Sequence, residues 1–383
     1  MRRDGMRILQ ISNFTPPMES GHGNYCLSLS AKLASLGFKV TILSSRYPSW
    51  APSREEVDGV EVIRLWTPFL GWNISGMNLA LKAVMDLGRE ADVVHVHSYL
   101  FIMSNQAGVA KLFTGFPCVL HLHGGIGLPD RKLVGWGKYL FKKLLYDPLV
   151  GRFMSWAADY TLSVSRRDLL LAKWRLGVDL RRAAWAPPGV DLERFSLNHR
   201  SDGFTLGFIG RLEPWKGAML LPEILKVVLN KVPDAKLVVI GDGGLYESLK
   251  SKLSGLPAEL LGRVSNRRIP EVLQEIDVLL LPSTLEGLPL TCIEAAAAGV
   301  PAVAFNVGSV SEVIEDGRTG FLVEAGDYRK LAEKAALLLE NPELREKMGR
   351  EARRKAEREF SWEKTVRTVL KAYSEAVKAA ATK

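Results

Sequence analysis

The sequence predicts an α/β chain folded as two doubly wound domains, each a mostly parallel sheet with helices on both faces. Three observations lead there. Short, wholly apolar runs of strand length recur between helical stretches, as strands buried on both faces of a parallel sheet do. The pattern breaks at a Pro- and Gly-bearing segment, residues 187–195 (PPGVDLERF), and restarts near Ser201. Finally, 383 residues is long for a single core. The boundaries read as 1–188 and 201–360, with a last helix, 361–383, left over.

Residues 7–12 (RILQIS) form the first strand, and a turn-rich loop follows at 13–24 (NFTPPMESGHGN). An amphipathic helix, 25–36, ends at Gly37, and 39–44 (KVTILS) begins the next strand, which completes a βαβ unit. Gly21 and Gly23 would let backbone approach a ligand, but Cys26 stands where a G-x-G-x-x-G pattern needs its third glycine. A dinucleotide site is therefore not expected. Further strands read at 92–97 (DVVHVH), 118–123 (CVLHLH) and 160–164 (YTLSV). Four of the six histidines, His95, His97, His121 and His123, lie near carboxyl ends of these strands, where α/β crevices form. They alternate on shared faces, yet no Cys or acidic partner supports a metal site. A hydrogen-bonding or acid/base role for one of them is preferred, and paired histidines that merely hold loops together are the competing reading. Segment 131–152 (RKLVGWGKYLFKKLLYDPLVGR) interleaves basic residues with Trp136, Tyr139, Phe141 and Tyr146. It fits an anionic membrane surface or an ordinary surface helix.

In the second half, strands read at 204–210, 236–241, 259–261, 277–281 and 301–305, and the tail 328–383 is helical with a break near 360–362. Residues 277–323 carry most of the chemistry. A strand closed by Pro282 leads through a polar loop, 283–287, into a helix at 289–298, with Pro near its first turn and Gly299 just past its end. The unpaired N–H groups of such a helix start, beside a strand's carboxyl end, bind phosphorylated ligands. Glu286 and Glu294 frame that loop and helix. Carboxylates at an anion site are costly unless they bind hydroxyls, so a sugar-bearing ligand suits the pair better than bare phosphate. Residues 210–217 (GRLEPWKG) are not a Walker loop, because Gly217 follows Lys216 where a Ser or Thr would hold magnesium. Arg211 as a fork and Lys216 as a point charge can nevertheless reach one pyrophosphate. At 241–244 (GDGG), Tyr246 occupies the position that would complete a dinucleotide fingerprint, which removes most support for nicotinamide chemistry.

Bulk properties narrow the partners. Apolar content of 47% and a charged fraction of 24% are those of a soluble globular protein, and no apolar run approaches the ~18 residues of a membrane span. The start runs almost directly into a strand, so no cleavable signal peptide is expected. Cys26, Cys118 and Cys292 are scattered, which fits a reducing cytoplasm. Residues 1–195 hold 24 Lys and Arg against 16 Asp and Glu, whereas the rest holds 27 against 26. A basic first half fits a phosphorylated acceptor or an anionic membrane, or is simply a solubilising surface. No nucleic-acid partner is expected.

The segment E-G-L-P-x4-E-A-x-A-x-G-x-P, Glu286 to Pro301, with D-G-x-T-G-F-L-V, Asp316 to Val323, closely resembles the nucleotide-sugar half of the retaining glycosyltransferases of family 4. Ser20-Gly21, His123-Gly124, Gly189-Val190-Asp191, Gly210-Arg211-Leu212 with Lys216-Gly217, and Gly241-Asp242-Gly243 extend the resemblance along nearly the whole chain. It implies the GT-B fold: two Rossmann-like domains facing each other across a cleft, with the C-terminal helix returning to the first. It implies that the second domain binds a nucleotide-diphosphate sugar, UDP- or GDP-linked, and the first an acceptor such as a glycan, a lipid-linked or a phosphorylated polyol acceptor. Arg211 and Lys216 would neutralise the diphosphate, Glu286 would hold sugar hydroxyls, and His123 would lie near the sugar. Gly21, Gly210, Leu288, Leu290 and Thr291 would approach the donor, Glu294 would hold the ribose, and Arg263 and Val264 would lie near the base. Transfer would retain anomeric configuration at the front face, the leaving diphosphate helping to deprotonate the acceptor, with no metal or other cofactor. The scattered cysteines and the basic segment lead to the expectation of a cytoplasmic protein, peripheral at the inner membrane face if that segment docks there. Ser20 stands where relatives often have glycine, and Pro188 where they often have Asn. A nucleotide-sugar epimerase of the same fold, or a binding module without turnover, remain alternatives, although Arg211, Lys216 and both glutamates argue against the last. No carboxylate pair positioned as in a glycosidase is evident.

Overall fold

The computed structural model describes residues 5–18, 20–67, 80–127, 131–197 and 200–382, with the side chains of 131–134 outside the description. The chain forms two compact units, Met1–Pro188 with Trp362–Lys383, and Gly189–Ser361.

The first unit holds strands β1 (Arg7–Ile11), β2 (Lys39–Arg46), β3 (Arg54–Val57), β4 (Val60–Trp66), β5 (Val93–His97), β6 (Cys118–Leu122), β7 (Tyr160–Ser163) and β8 (Ala183–Trp185). They lie in the order β3-β4-β2-β1-β5-β6-β7-β8. All pair in parallel except β3 with β4. Because successive residues of a strand face opposite ways, each strand feeds two cores. Ile8, Val93 and Val119 pack under α1 (Gly21–Ser35) and α14 (Trp362–Ala381). Leu9, Ile11, Val94, Val96 and Leu120 pack on the other face, with Val84 of α2 (Leu81–Glu90) and Met103 and Ala107 of α3 (Ile102–Thr114). Continuing the first alternation toward the carboxyl ends places Gln10, His95, His97 and His121 on the α1 and α14 face, all fully buried. The C-terminal helix thus belongs to the first unit, and Thr365 anchors it by donating to the Pro187 carbonyl (2.8 Å).

In this unit sequence reading misses β3, β4 and β8, and in the second it misses the last strand, Gly320–Val323. β3 (REEV) is a charged edge strand with no apolar alternation, and β8 has only three residues. Helix α1 starts four residues earlier than its amphipathic pattern, because the Ser20 hydroxyl caps it by accepting from the Gly23 amide (3.0 Å). Beyond α4 (Arg131–Phe141), Lys142–Gly151 winds as a π-helix with Pro148 inside it.

The second unit is a wholly parallel six-stranded sheet, β9 (Thr205–Ile209), β10 (Lys236–Ile240), β11 (Ala258–Gly262), β12 (Val278–Leu281), β13 (Ala302–Phe305) and β14 (Gly320–Val323). Its order, β11-β10-β9-β12-β13-β14, reverses between β9 and β12, which makes the carboxyl ends of those two strands the switch point. Asp277 closes the lower end of this junction by accepting from the Thr205 amide (2.9 Å) and the Ser201 hydroxyl (2.7 Å). The helical tail breaks twice rather than once: Asn341 caps α13 (Pro342–Glu359) after α12 (Tyr328–Glu340), ahead of the break at residues 360–361.

Candidate functional site

In the second unit, four short loops meet above the switch point. The loop after β9 turns at Gly217, whose φ of +70° and whose contact with the Pro282 carbonyl, 2.0 Å from where a Cβ would sit, admit no side chain. The Thr284 amide donates to the Trp215 carbonyl (2.8 Å), tying this loop to the one after β12. From the other side Gly308, at φ +57°, lies against the Glu286 carbonyl, and the Ser309 amide donates to the Gly287 carbonyl (3.1 Å). The loop after β10 joins through the Leu212 amide, which donates to the Asp242 carbonyl (2.9 Å). Glu286 is therefore held by backbone on both flanks.

This zippering brings Lys216 and Glu286 together, Nζ to Oε1 at 2.6 Å, with the Glu286 side chain 7% and the Lys216 side chain 22% exposed. Arg211 lies at the surface with its guanidinium 5.4 Å from the centre of the Trp215 ring. Helix α10 (Leu290–Ala298) begins at Pro289 with no side-chain cap, so the amides of Leu290 and Thr291 have no acceptor within the helix. Glu294 is one turn further in. Burial pushes its carboxyl up to about 7, while the charge of Arg194 pulls the other way. The Cys292 thiol is raised by burial and then by the Glu286 charge, is lowered by Lys216 and raised by Glu294, which places all three in one neighbourhood. Gly210 directly follows β9, and Arg263 and Val264 follow β11 on the same end of the sheet.

Other motif residues serve the fold. The Val190 amide donates to the Phe360 carbonyl (2.7 Å), binding the Gly189–Asp191 motif to the end of α13. Asp316 accepts from the Leu322 amide (2.9 Å) and Thr319 from the Glu315 amide (2.8 Å), so that motif shapes the turn into β14. Gly21 is an exposed first residue of α1, and Gly23 is needed because the Phe14 carbonyl packs against it. The close approach predicted for Gly23 is thus to the chain itself.

A second polar cluster lies in the first unit. His123 follows β6 and is half-buried, 5.0 Å from Tyr25 and 6.3 Å from His22 between ring centres. His22 stacks on Phe101 (5.0 Å), and burial lowers its imidazole to about 4. Below them, His95, His97 and His121 each offer a nitrogen within 4.8 Å of the others. Sequence reading placed all four histidines at strand ends but could not foresee their joining across β5 and β6, nor that Gln10 and Tyr373 would complete the cluster.

Glu294 carries a pH prediction. Its carboxyl holds a proton in the folded protein at pH values where the unfolded chain has lost it. Its contribution therefore makes the ligand-free protein less stable as pH rises from about 4.5 to about 7, with no further change above. Glu294→Gln should remove about 1 to 3 kcal/mol of that decline, measured as the wild-type-minus-variant difference in denaturant unfolding across the window.

Comparison with known proteins agrees with this architecture. Residues 190–355 match the family of glycosyl transferases group 1, and residues 20–189 match the glycosyl transferase 4-like domain. An uncharacterized glycosyltransferase of Methanocaldococcus jannaschii, MJ1178, is 31% identical over 75% of this chain and 75% of its own length. The sulfoquinovosyl transferase SQD2 of Arabidopsis thaliana is 30% identical over 75% of this chain, which spans 58% of that protein. Among solved structures, sucrose-phosphate synthase from Thermosynechococcus elongatus superposes with a TM-score of 0.78 at 19% identity, covering 98% of this chain and 100% of that one. Anabaena Alr3699/HepE in complex with UDP-glucose gives 0.75 at 17% identity, covering 96% and 99%. At such identities the structures speak for the fold alone. With both halves matched by glycosyltransferase families and a relative of the same kind aligned over three quarters of each chain, the protein belongs to the group 1 glycosyltransferases, built on the GT-B fold.

Proposed function

We propose that the chain moves a hexosyl group from a nucleotide-diphosphate sugar, most simply a UDP-sugar, to a hydroxyl acceptor with retention of anomeric configuration. The observation that carries this reading is the Lys216–Glu286 pair at the β9/β12 switch point, beside the uncapped start of α10. In the resting state the two charges satisfy each other. An arriving diphosphate takes over Lys216, with Arg211 and the α10 amides as further donors, and Glu286 is released to sugar hydroxyls. Glu294 accepts from the ribose. These fixed charges can stabilise the leaving diphosphate without a metal ion. A nucleotide-sugar donor is supported by HepE, solved with UDP-glucose, and a lipid-linked acceptor by the Escherichia coli UDP-Gal:alpha-D-GlcNAc-diphosphoundecaprenol galactosyltransferase, 29% identical over 62% of this chain. The second unit would hold the donor, and the first the acceptor.

Thermal unfolding with UDP, GDP, ADP and their sugars tests the donor. A nucleotide at 100 times its dissociation constant adds about 2.7 kcal/mol of stability. A shift with one nucleotide family is expected, and no shift with any would contradict the reading.

Contact with an anionic membrane, at the cytoplasmic face, belongs to the same proposal. No helix among the described residues is long and apolar enough to cross a membrane. Trp136, Phe141, Leu144, Leu145 and Leu149 are more than half exposed within a segment that also carries Lys138 and Lys143. The protein should co-sediment with vesicles containing anionic lipid and not with neutral ones. Trp136→Ser with Leu144→Ser should weaken that binding by about tenfold or more.

A further inference from the structure

The buried cluster of the first unit has a single consistent pattern of protons. Four imidazoles, one amide and one phenol form an unbranched chain across β1, β5, β6 and α14 that ends at a backbone carbonyl.

The Ala186 carbonyl can only accept, so Nε2 of His121, 3.2 Å away, must carry hydrogen. Nδ1 of a neutral His121 is then bare and accepts from Nε2–H of His95 (3.2 Å). Nδ1 of His95 is bare in turn and accepts from the Tyr373 hydroxyl (2.8 Å). The Tyr373 oxygen accepts from Nε2 of Gln10 (3.1 Å), which turns Oε1 of Gln10 toward Nε2–H of His97 (2.7 Å). Nδ1 of His97 must then accept from Nε2–H of His123 (2.8 Å). Each step leaves one choice. Burial lowers all four imidazoles, which keeps them neutral and the chain of choices intact.

We propose that this relay fixes the tautomer of His123, holding its proton on Nε2 and presenting a bare Nδ1 to the ligand side of the first unit as an obligate acceptor for a hydroxyl. Among the described residues His123 is the one relay ring with a nitrogen that bonds to nothing else, and it is the one relay histidine with some exposure, His95, His97 and His121 being fully buried. Gln10, His97, His95, His121 and Tyr373 are then positioning residues. Tyr373 lets the C-terminal helix reach a residue of the ligand-facing end without approaching it. That the hydroxyl belongs to a sugar donor or its acceptor rests on the proposed function; the tautomer itself does not.

The test is long-range proton–nitrogen correlation NMR on the full-length protein labelled with nitrogen-15 histidine, near neutral pH. All four rings should show Nε2 protonated and Nδ1 bare. A His123 protonated on Nδ1, averaging between both forms, or a ring of the relay bound to a metal ion would overturn the proposal. Tyr373→Phe keeps the ring and removes the hydroxyl. It should let His123 average between tautomers and lower kcat by about tenfold with donor KM unchanged. An unchanged His123 spectrum in that variant would also overturn the relay, and should the variant not fold, the wild-type spectrum decides alone. A protein with the stated tautomers but no sugar transfer would sink the proposed function and leave the relay standing.

Discussion

Replacing Lys216 with Ala should lower kcat/KM for the donor by about 2 to 4 kcal/mol of transition-state stabilisation, with Arg211→Ala acting in the same direction. Negative charge accumulates on the diphosphate as the glycosidic bond breaks, and a cation fixed in place beforehand needs no reorganisation to meet it. Lys216 is so fixed, because the Gly217 turn and the Thr284–Trp215 hydrogen bond set its loop. Arg211 is less constrained, at the surface over Trp215, so its loss should be the smaller of the two. Lys216→Ala should also lower the melting temperature of the ligand-free protein, since it strands the almost fully buried Glu286 carboxylate without its partner. Steady-state kinetics over a range of donor concentrations, with calorimetric unfolding alongside, read both effects. Unchanged kinetics in both variants would remove the assignment.

Glu286→Ala should impair transfer by about 100-fold while leaving the affinity for the free nucleoside diphosphate within about threefold, because the carboxylate is assigned to sugar hydroxyls and not to the nucleotide. The resting ion pair sharpens this expectation. Removing Glu286 frees Lys216 to meet the diphosphate without first leaving its partner, so nucleotide binding should hold or improve even as turnover falls. An equal loss of transfer and of nucleotide affinity, from kinetics and titration calorimetry on the same variant, would contradict the sugar role.

Much of the architecture is legible from local patterns. The apolar runs that become β1, β5, β6, β9, β10, β12 and β13 are visible because both faces of those strands are covered. The charged edge strand β3 leaves no such trace. The start of α10 is announced by Pro289, and its end by Gly299 in the left-handed conformation at φ +74°. Long-range pairings are a different matter. Lys216 and Glu286 lie 70 residues apart, and nothing in either segment states that two glycine turns will press their loops together. The histidine relay is a milder case: the alternation of 93–97 and 118–122 puts His95, His97 and His121 on one face, but Tyr373 arrives from 278 residues beyond His95. Motif residues also divide unexpectedly. Glu286 and Lys216 meet above the sheet, while Asp316 and Thr319 use their hydrogen bonds on the turn into β14 and Val190 on the end of α13.

The most direct measurement is a crystal structure of the protein with an intact or non-hydrolysable UDP-hexose. The diphosphate should lie against Lys216, Arg211 and the amides of Leu290 and Thr291, with the ribose on Glu294 and the hexose hydroxyls on Glu286, now parted from Lys216. A nucleotide lodged away from the β9/β12 switch point, or a Lys216–Glu286 pair left unbroken beneath a bound donor, would contradict the account.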